Sequence, residues 1–85
     1  MEGTRLFLKD LTVIENGRAG LADGFLWLWM PGITMQQAAV FVFNPDVMGR
    51  IIFQYGEEES VYAGYIVCKS LTTDNGETVV CMVKG

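Results

Sequence analysis

Six consecutive large apolar side chains, Phe25-Leu26-Trp27-Leu28-Trp29-Met30, limit this chain more than any other feature. The run is bounded by Asp23-Gly24 before it and Pro31-Gly32 after it, too short for a buried helix and right for a strand. Side chains alternate along a strand, so Phe25, Trp27 and Trp29 share one face while Leu26, Leu28 and Met30 share the other. Both faces are apolar. Such a strand belongs in the middle of a sheet, with cover on two sides. A helix is expected to cover one side, and something else must cover the other.

The remaining segments supply the sheet and the helix. Arg5 to Lys9 and Thr12 to Glu15 read as strands, with a weak turn at Asp10-Leu11. Asn16-Gly17 is the strongest two-residue hairpin signal, because both positions tolerate positive φ, and Arg18 to Leu21 follows as a short strand. Thr34-Met35-Gln36-Gln37 is a capping box that starts a helix. Met35, Ala38, Ala39, Val42 and Phe43 then fall on one helical face, which leaves Val40 and Phe41 off it. Asn44 precedes Pro45, which ends the helix, and Asn44-Pro45-Asp46 is placed to cap one further turn closing at Gly49. Arg50 to Tyr55 is a strand, Gly56 to Ser60 a solvated turn, and Val61 to Leu71 one long strand with a bend or bulge at Ala63-Gly64. A turn at Thr73 to Glu77 and a strand from Thr78 to Lys84 close the sheet.

These segments predict one α+β domain: a mostly antiparallel sheet of about six to seven short strands, open or partly closed into a barrel, with one amphipathic helix at about residues 34–44. Its 85 residues allow a single core, and a core this small is marginal without a further source of stability. Two cysteines make no disulfide framework, and with no histidine they do not complete a tetrahedral zinc site. Apolar residues nevertheless make up 51% of the chain. The excess fits a core shared between subunits or a patch kept for a partner.

Most chemistries lack their parts. Without histidine the usual general base is missing, and Ser60 and Ser70 lie in no nucleophile motif, so no enzyme is expected. Glu57-Glu58-Glu59 reads as a solvated charged turn rather than a cation site. Gly17, Gly20 and Gly24 have neither the spacing nor the following helix of a phosphate loop. No cofactor is implied. The net charge of −4, from ten acids and six bases, argues against nucleic acid and anionic membranes as partners. The longest apolar run is six residues, against about twenty needed to span a bilayer, and Met1 to Arg5 lacks a signal-peptide pattern. The expected location is the cytoplasm, where Cys68 and Cys81 stay reduced. A two-residue turn at Asn75-Gly76 sets the two sulfurs diagonally on one face, whereas a four-residue loop sets them opposite each other. Buried free thiols are the expectation.

The order of motifs resembles a family of short proteins encoded in prophages of anaerobic gut bacteria, near tail or lysis genes. The resemblance rests on Leu8-Lys9-Asp10, Thr12-Val13-Ile14-Glu15, Asp23-Gly24-Phe25-Leu26-Trp27 and Thr34 to Ala39, and on Asn44-Pro45-Asp46, Gly49 to Gly56 and the closing hairpin. It covers nearly the whole chain and departs at the first turn, where the family pattern has Asp-Gly and this chain has Asp10-Leu11. These motifs are structural punctuation and bring no activity or site residues with them. What the resemblance implies is a phage product located in the host cytoplasm or on the virion.

Two readings of function follow. The first is a non-enzymatic interaction or assembly module, a homo-oligomer or a binder of a phage or host protein, with its contact built from Trp27, Trp29, Val40 and Phe41. The second is an anti-defence protein that binds a small signalling molecule or a host protein, with Arg5, Arg18 and Arg50 as candidates for an anionic ligand.

Overall fold

The computed structural model describes residues 3–84 other than Asp10 and Ile66, with the backbone alone described for Pro45 and Met48. The expected reading of Met1-Glu2 therefore lies outside the described residues. Among the described residues there are eight strands: β1 (Thr4–Leu8), β2 (Val13–Glu15), β3 (Arg18–Ala22), β4 (Phe25–Met30), β5 (Arg50–Tyr55), β6 (Glu58–Ala63), β7 (Val67–Asp74) and β8 (Glu77–Val83). Two helices, α1 (Met35–Val42) and α2 (Pro45–Met48), lie between β4 and β5. The strands form two four-stranded antiparallel sheets, in the orders β2-β1-β5-β6 (sheet I) and β3-β4-β8-β7 (sheet II).

The fold is α+β and mostly antiparallel, as expected, but the sheets do not close into a barrel. Instead the chain crosses between them after β2, β4 and β6. The expected Asn16-Gly17 hairpin is one of these crossings. Asn16 takes φ +62 and its N–H donates to the Thr4 carbonyl (2.8 Å), so it still extends the β1 ladder. Gly17 then carries the chain into sheet II, where β3 pairs with β4. The expected long strand from Val61 to Leu71 is likewise two strands in different sheets. Gly64, at φ +82, sits at the break, because a left-handed residue ends the pleat. Glu58, Glu59 and Ser60, expected in a solvated turn, belong to edge strand β6, where outward charge is tolerated. The turn itself is Gly56-Glu57, with Gly56 at φ +59.

Local signals elsewhere behave as their chemistry dictates. Asp23-Gly24 (φ +55 and +81) and Asn75-Gly76 (φ +52 and +80) have the paired positive φ of type I′ turns and join paired strands. The β1–β2 connection runs from Lys9 to Thr12, and Asp10 lies outside the described residues. Leu11 there takes φ +73, and its N–H donates to the Leu8 carbonyl (2.9 Å). At α1 both halves of the capping box are made. The Gln37 N–H donates to Thr34 Oγ1 (3.1 Å), and the Thr34 N–H donates to Gln37 Oε1 (2.9 Å). Asn44 Oδ1 accepts from the Asp46 N–H (3.0 Å), which caps the single turn of α2.

The core lies between the sheets. Leu6, Leu8, Ile14 and Ile51 of sheet I meet Leu26, Leu28, Met30, Val80 and Met82 of sheet II. Ala38, Val42 and Val47 join them from the helices. Sheet I is thus the main cover of the Leu26-Leu28-Met30 face. The phase of α1 differs from the expected one: Phe41 is half-buried and packs on the core, while Phe43 is 70% exposed. Phe43 is the C-cap residue at φ −97, ψ 7, so its side chain leaves the helical spiral that the i+8 count assumes.

Candidate functional site

In a two-sheet sandwich each sheet has an inner and an outer face, and the outer face of a small domain is ordinarily polar. On sheet I the registers align outward residues into rows. Val13 pairs with Phe7, Phe7 with Ile52, and Ile52 with Val61. These four side chains form an apolar row across all four strands. Their strand neighbours Leu6, Leu8, Ile14 and Ile51 point into the core, so alternation turns the row outward. Val13 is 44% exposed and Val61 52%.

The row is bordered by two different polar rows. On one side lie Glu15, Arg5, Gln54 and Glu59, again matched strand to strand. Arg5 Nε and Glu15 Oε2 are 3.3 Å apart on this side, an exposed ion pair that neutralises both. On the other side are Lys9, just past β1, and Arg50, opposite Ala63. Lys9, Arg50 and Glu59 make no ion pair with the described residues. A depression of about 440 Å³ spans the row here, lined by Phe7, Val13 and Ile52 and edged by Leu11, Lys9, Arg50 and, from the far side, Glu59.

The residues expected at a contact are dispersed. Trp27 and Trp29 lie on the outer face of sheet II, half-buried. They are covered from their own sheet: Arg18 stacks over the Trp29 ring (5.4 Å), Lys69 lies over Phe25 (5.5 Å), and Phe25 meets Trp27 edge to face (6.5 Å). The Trp27 indole N–H donates to the Ala22 carbonyl (3.4 Å). Val79 and Cys81, which pair with these tryptophans, are thereby buried. Val40 is 67% exposed on α1, a helix packed on the core side, and Phe41 faces that core. The tryptophans and the helix residues therefore do not share a surface.

Nor do the three arginines converge. Arg5 is paired with Glu15. Arg18 belongs to sheet II, 3.2 Å from Glu77 Oε2. Arg50 alone lines the depression. Among the described residues no three acidic, cysteine or histidine side chains gather to hold a metal ion.

Cys68 and Cys81 are free thiols. Asp74 pairs with Glu77, the two-residue turn, but a bulge between Cys68 and Ser70 sets Cys68 opposite Met82 and Cys81 opposite Ser70. Cys68 therefore packs on the core while Cys81 points to the outer face, rather than both facing one way. Burial pushes the Cys68 thiol above its ordinary range, and the neighbouring Cys81 adds to the push.

Phe7, Val13, Ile52, Val61 and Lys9 were not among the residues expected to act. A local signal did exist. Arg5-Leu6-Phe7-Leu8 and Arg50-Ile51-Ile52-Phe53 place a large apolar side chain on both faces of a strand, as Phe25 to Met30 does. No known protein family matches this chain, and no curated protein or solved structure is similar to it.

Proposed function

We propose that this chain is a non-enzymatic assembly module that docks protein surface on the outer face of sheet I. The observation that carries the reading is the Val13–Phe7–Ile52–Val61 row, apolar side chains on four neighbouring strands with no layer of the described residues over them. A contiguous apolar patch bordered by polar residues is the usual mark of an interaction site. The tryptophan face is the weaker candidate, because Arg18, Lys69 and the Ala22 carbonyl already occupy its rings and indole. In the setting that the prophage resemblance implies, the docked surface belongs to the protein's own copies or to a phage or host protein.

Static light scattering at high micromolar concentration tests this, with Val61→Lys as the comparison. Val61 is exposed on an edge strand, where lysine is well tolerated in the monomer. The unmodified protein is expected at about twice the monomer mass and the variant at the monomer mass. A monomer in both cases overturns self-docking. The depression also supports a second reading, a small anionic ligand held by Lys9 and Arg50, since its volume falls within the range of about 300–1,000 Å³ typical of ligand sites. That reading requires an anion-dependent rise in melting temperature that Arg50→Gln abolishes.

A further inference from the structure

We infer that the surface docked on sheet I is a second copy of the same chain, related by a two-fold axis in the plane of the face and about 20° off the apolar row, so that Arg50 of each copy meets Glu59 of the other. The inference rests on the docking reading above and adds the partner and its orientation.

A two-fold contact brings one patch against itself, so the patch must be self-complementary. The outer face of sheet I has that property. Its apolar row runs through the middle, with Lys9 and Arg50 on one side and, on the other, Glu59 and Gln54 beside the mutually paired Arg5 and Glu15. Rotation about an axis in the plane of the face and close to the row exchanges the two sides. The basic side of one copy then lies over the side carrying Glu59 in its partner. The register fixes the centre of this arrangement. Arg50 pairs with Ala63, Ile52 with Val61, and Gln54 with Glu59. The diagonal from Arg50 on β5 to Glu59 on β6 therefore has its midpoint between Ile52 and Val61. An axis in the plane of the face, through that midpoint and perpendicular to the diagonal, lies about 20° off the row at a strand spacing of about 4.8 Å and a rise of about 3.3 Å per residue. It sets Arg50 over the partner's Glu59 and Glu59 over the partner's Arg50, with Ile52 and Val61 close to their own counterparts at the centre. Each dimer gains two equivalent ion pairs around an apolar middle, the usual core-and-rim layout of an interface.

The chain's net charge of −4 makes this orientation selective. Two copies repel at long range, so any approach that does not set base against acid is disfavoured. The face is also small. Four strands about 4.8 Å apart and three to six residues long, at about 3.3 Å each, give at most roughly 19 by 20 Å per copy, below the roughly 1,200 Å² in total of a standard stable interface and in the range of weak, transient contacts. A dimer that forms and dissociates with concentration is expected, and its rim charges matter in proportion.

Charge reversal with cross-rescue tests the geometry. Arg50→Glu and Glu59→Arg are made singly and followed by sedimentation velocity at a concentration where the unmodified protein is mostly dimer. Each reversal places like charges at both symmetric positions, and each is expected to weaken association at least about tenfold, leaving monomer. Mixed in equal amounts, the two variants face glutamate with arginine at both contacts, and the dimer is expected to return. Circular dichroism of each variant, both altered at exposed positions, checks that the sandwich is intact. If the unmodified protein dimerises but the mixture stays monomeric, or if both single variants still dimerise, the two-fold pairing is overturned while sheet I can remain the docking face. If the unmodified protein is monomeric throughout, the docking of copies fails with it.

Discussion

Gly17 stands at the corner where the chain leaves sheet I for sheet II, buried and with no positive φ to require glycine. Its reason is space. A Cβ built there comes 2.9 Å from both Cγ and Cδ1 of Leu6 and 3.1 Å from the Ile14 carbonyl oxygen. Leu6 is fully buried among core residues of both sheets, and its Cγ is not a free end that can swing aside. Gly17→Ala must therefore displace either the Leu6 side chain or the corner itself. Overpacking of this kind costs about 1–3 kcal/mol. At about 4–8 °C per kcal/mol for a domain of this length, the melting temperature should fall by at least about 4 °C, and by about 20 °C if the corner cannot give. Gly20 supplies the control. It lies two pairs along β3, at ordinary φ, and a Cβ there meets nothing within 4 Å. Gly20→Ala should keep the melting temperature or raise it, by up to about 1 kcal/mol of lost unfolded-state entropy. Thermal melts by circular dichroism at one fixed protein concentration decide the matter, since association shifts the midpoint. Melting of Gly17→Ala together with the unmodified protein, or a fall for Gly20→Ala as large as that for Gly17→Ala, would show that space at the corner is not what requires glycine.

Thr34→Ala removes the acceptor for the Gln37 N–H and should cost about 1 kcal/mol in urea unfolding, with an unchanged midpoint speaking against the cap. Leu11 is 87% exposed yet held at φ +73, so Leu11→Gly should relieve left-handed strain and stabilise by roughly 0.5–1 kcal/mol; a loss of stability would contradict the turn geometry. Phe41→Asp puts a charge against the core and should unfold the domain or lower its melting temperature sharply, whereas Val40→Asp should leave the fold intact. Equal melting of those two variants would mean that α1 is rotated from the phase described.

Legibility in the sequence followed the range of the interaction. The capping box at Thr34 and Gln37, the turn at Asp23-Gly24 and the cap at Asn44-Pro45-Asp46 each depend on a few adjacent residues, and each is read directly, whereas the turn at Asn75-Gly76 is legible as a turn but its two-residue length is set by the β7–β8 register. The two-faced strand Phe25 to Met30 is equally plain. Asn16-Gly17 shows the limit, because its chemistry dictates a bend without saying which strands pair beyond it. Gly64 is similar. Val61 to Ala63 and Val67 to Leu71 have the same strand-like composition, and nothing local says that they join different sheets. The apolar row of sheet I is less legible still. Val13, Phe7, Ile52 and Val61 come from four strands, and only the registers of β1 with β2, β1 with β5 and β5 with β6 align them. Trp27 and Trp29 drew attention by size, yet cations and a carbonyl from their own sheet already engage them.

The outer face of sheet I is the surface proposed here for docking. NMR shifts followed on dilution from millimolar to low micromolar protein test it residue by residue. Concentration-dependent shifts are expected at the amides and side chains of Val13, Phe7, Ile52 and Val61, with Arg50 and Glu59 moving alongside them. The indoles of Trp27 and Trp29 and the methyls of Val40 should stay fixed. Shifts centred on the tryptophans or on α1, with the sheet I row unmoved, would contradict the account.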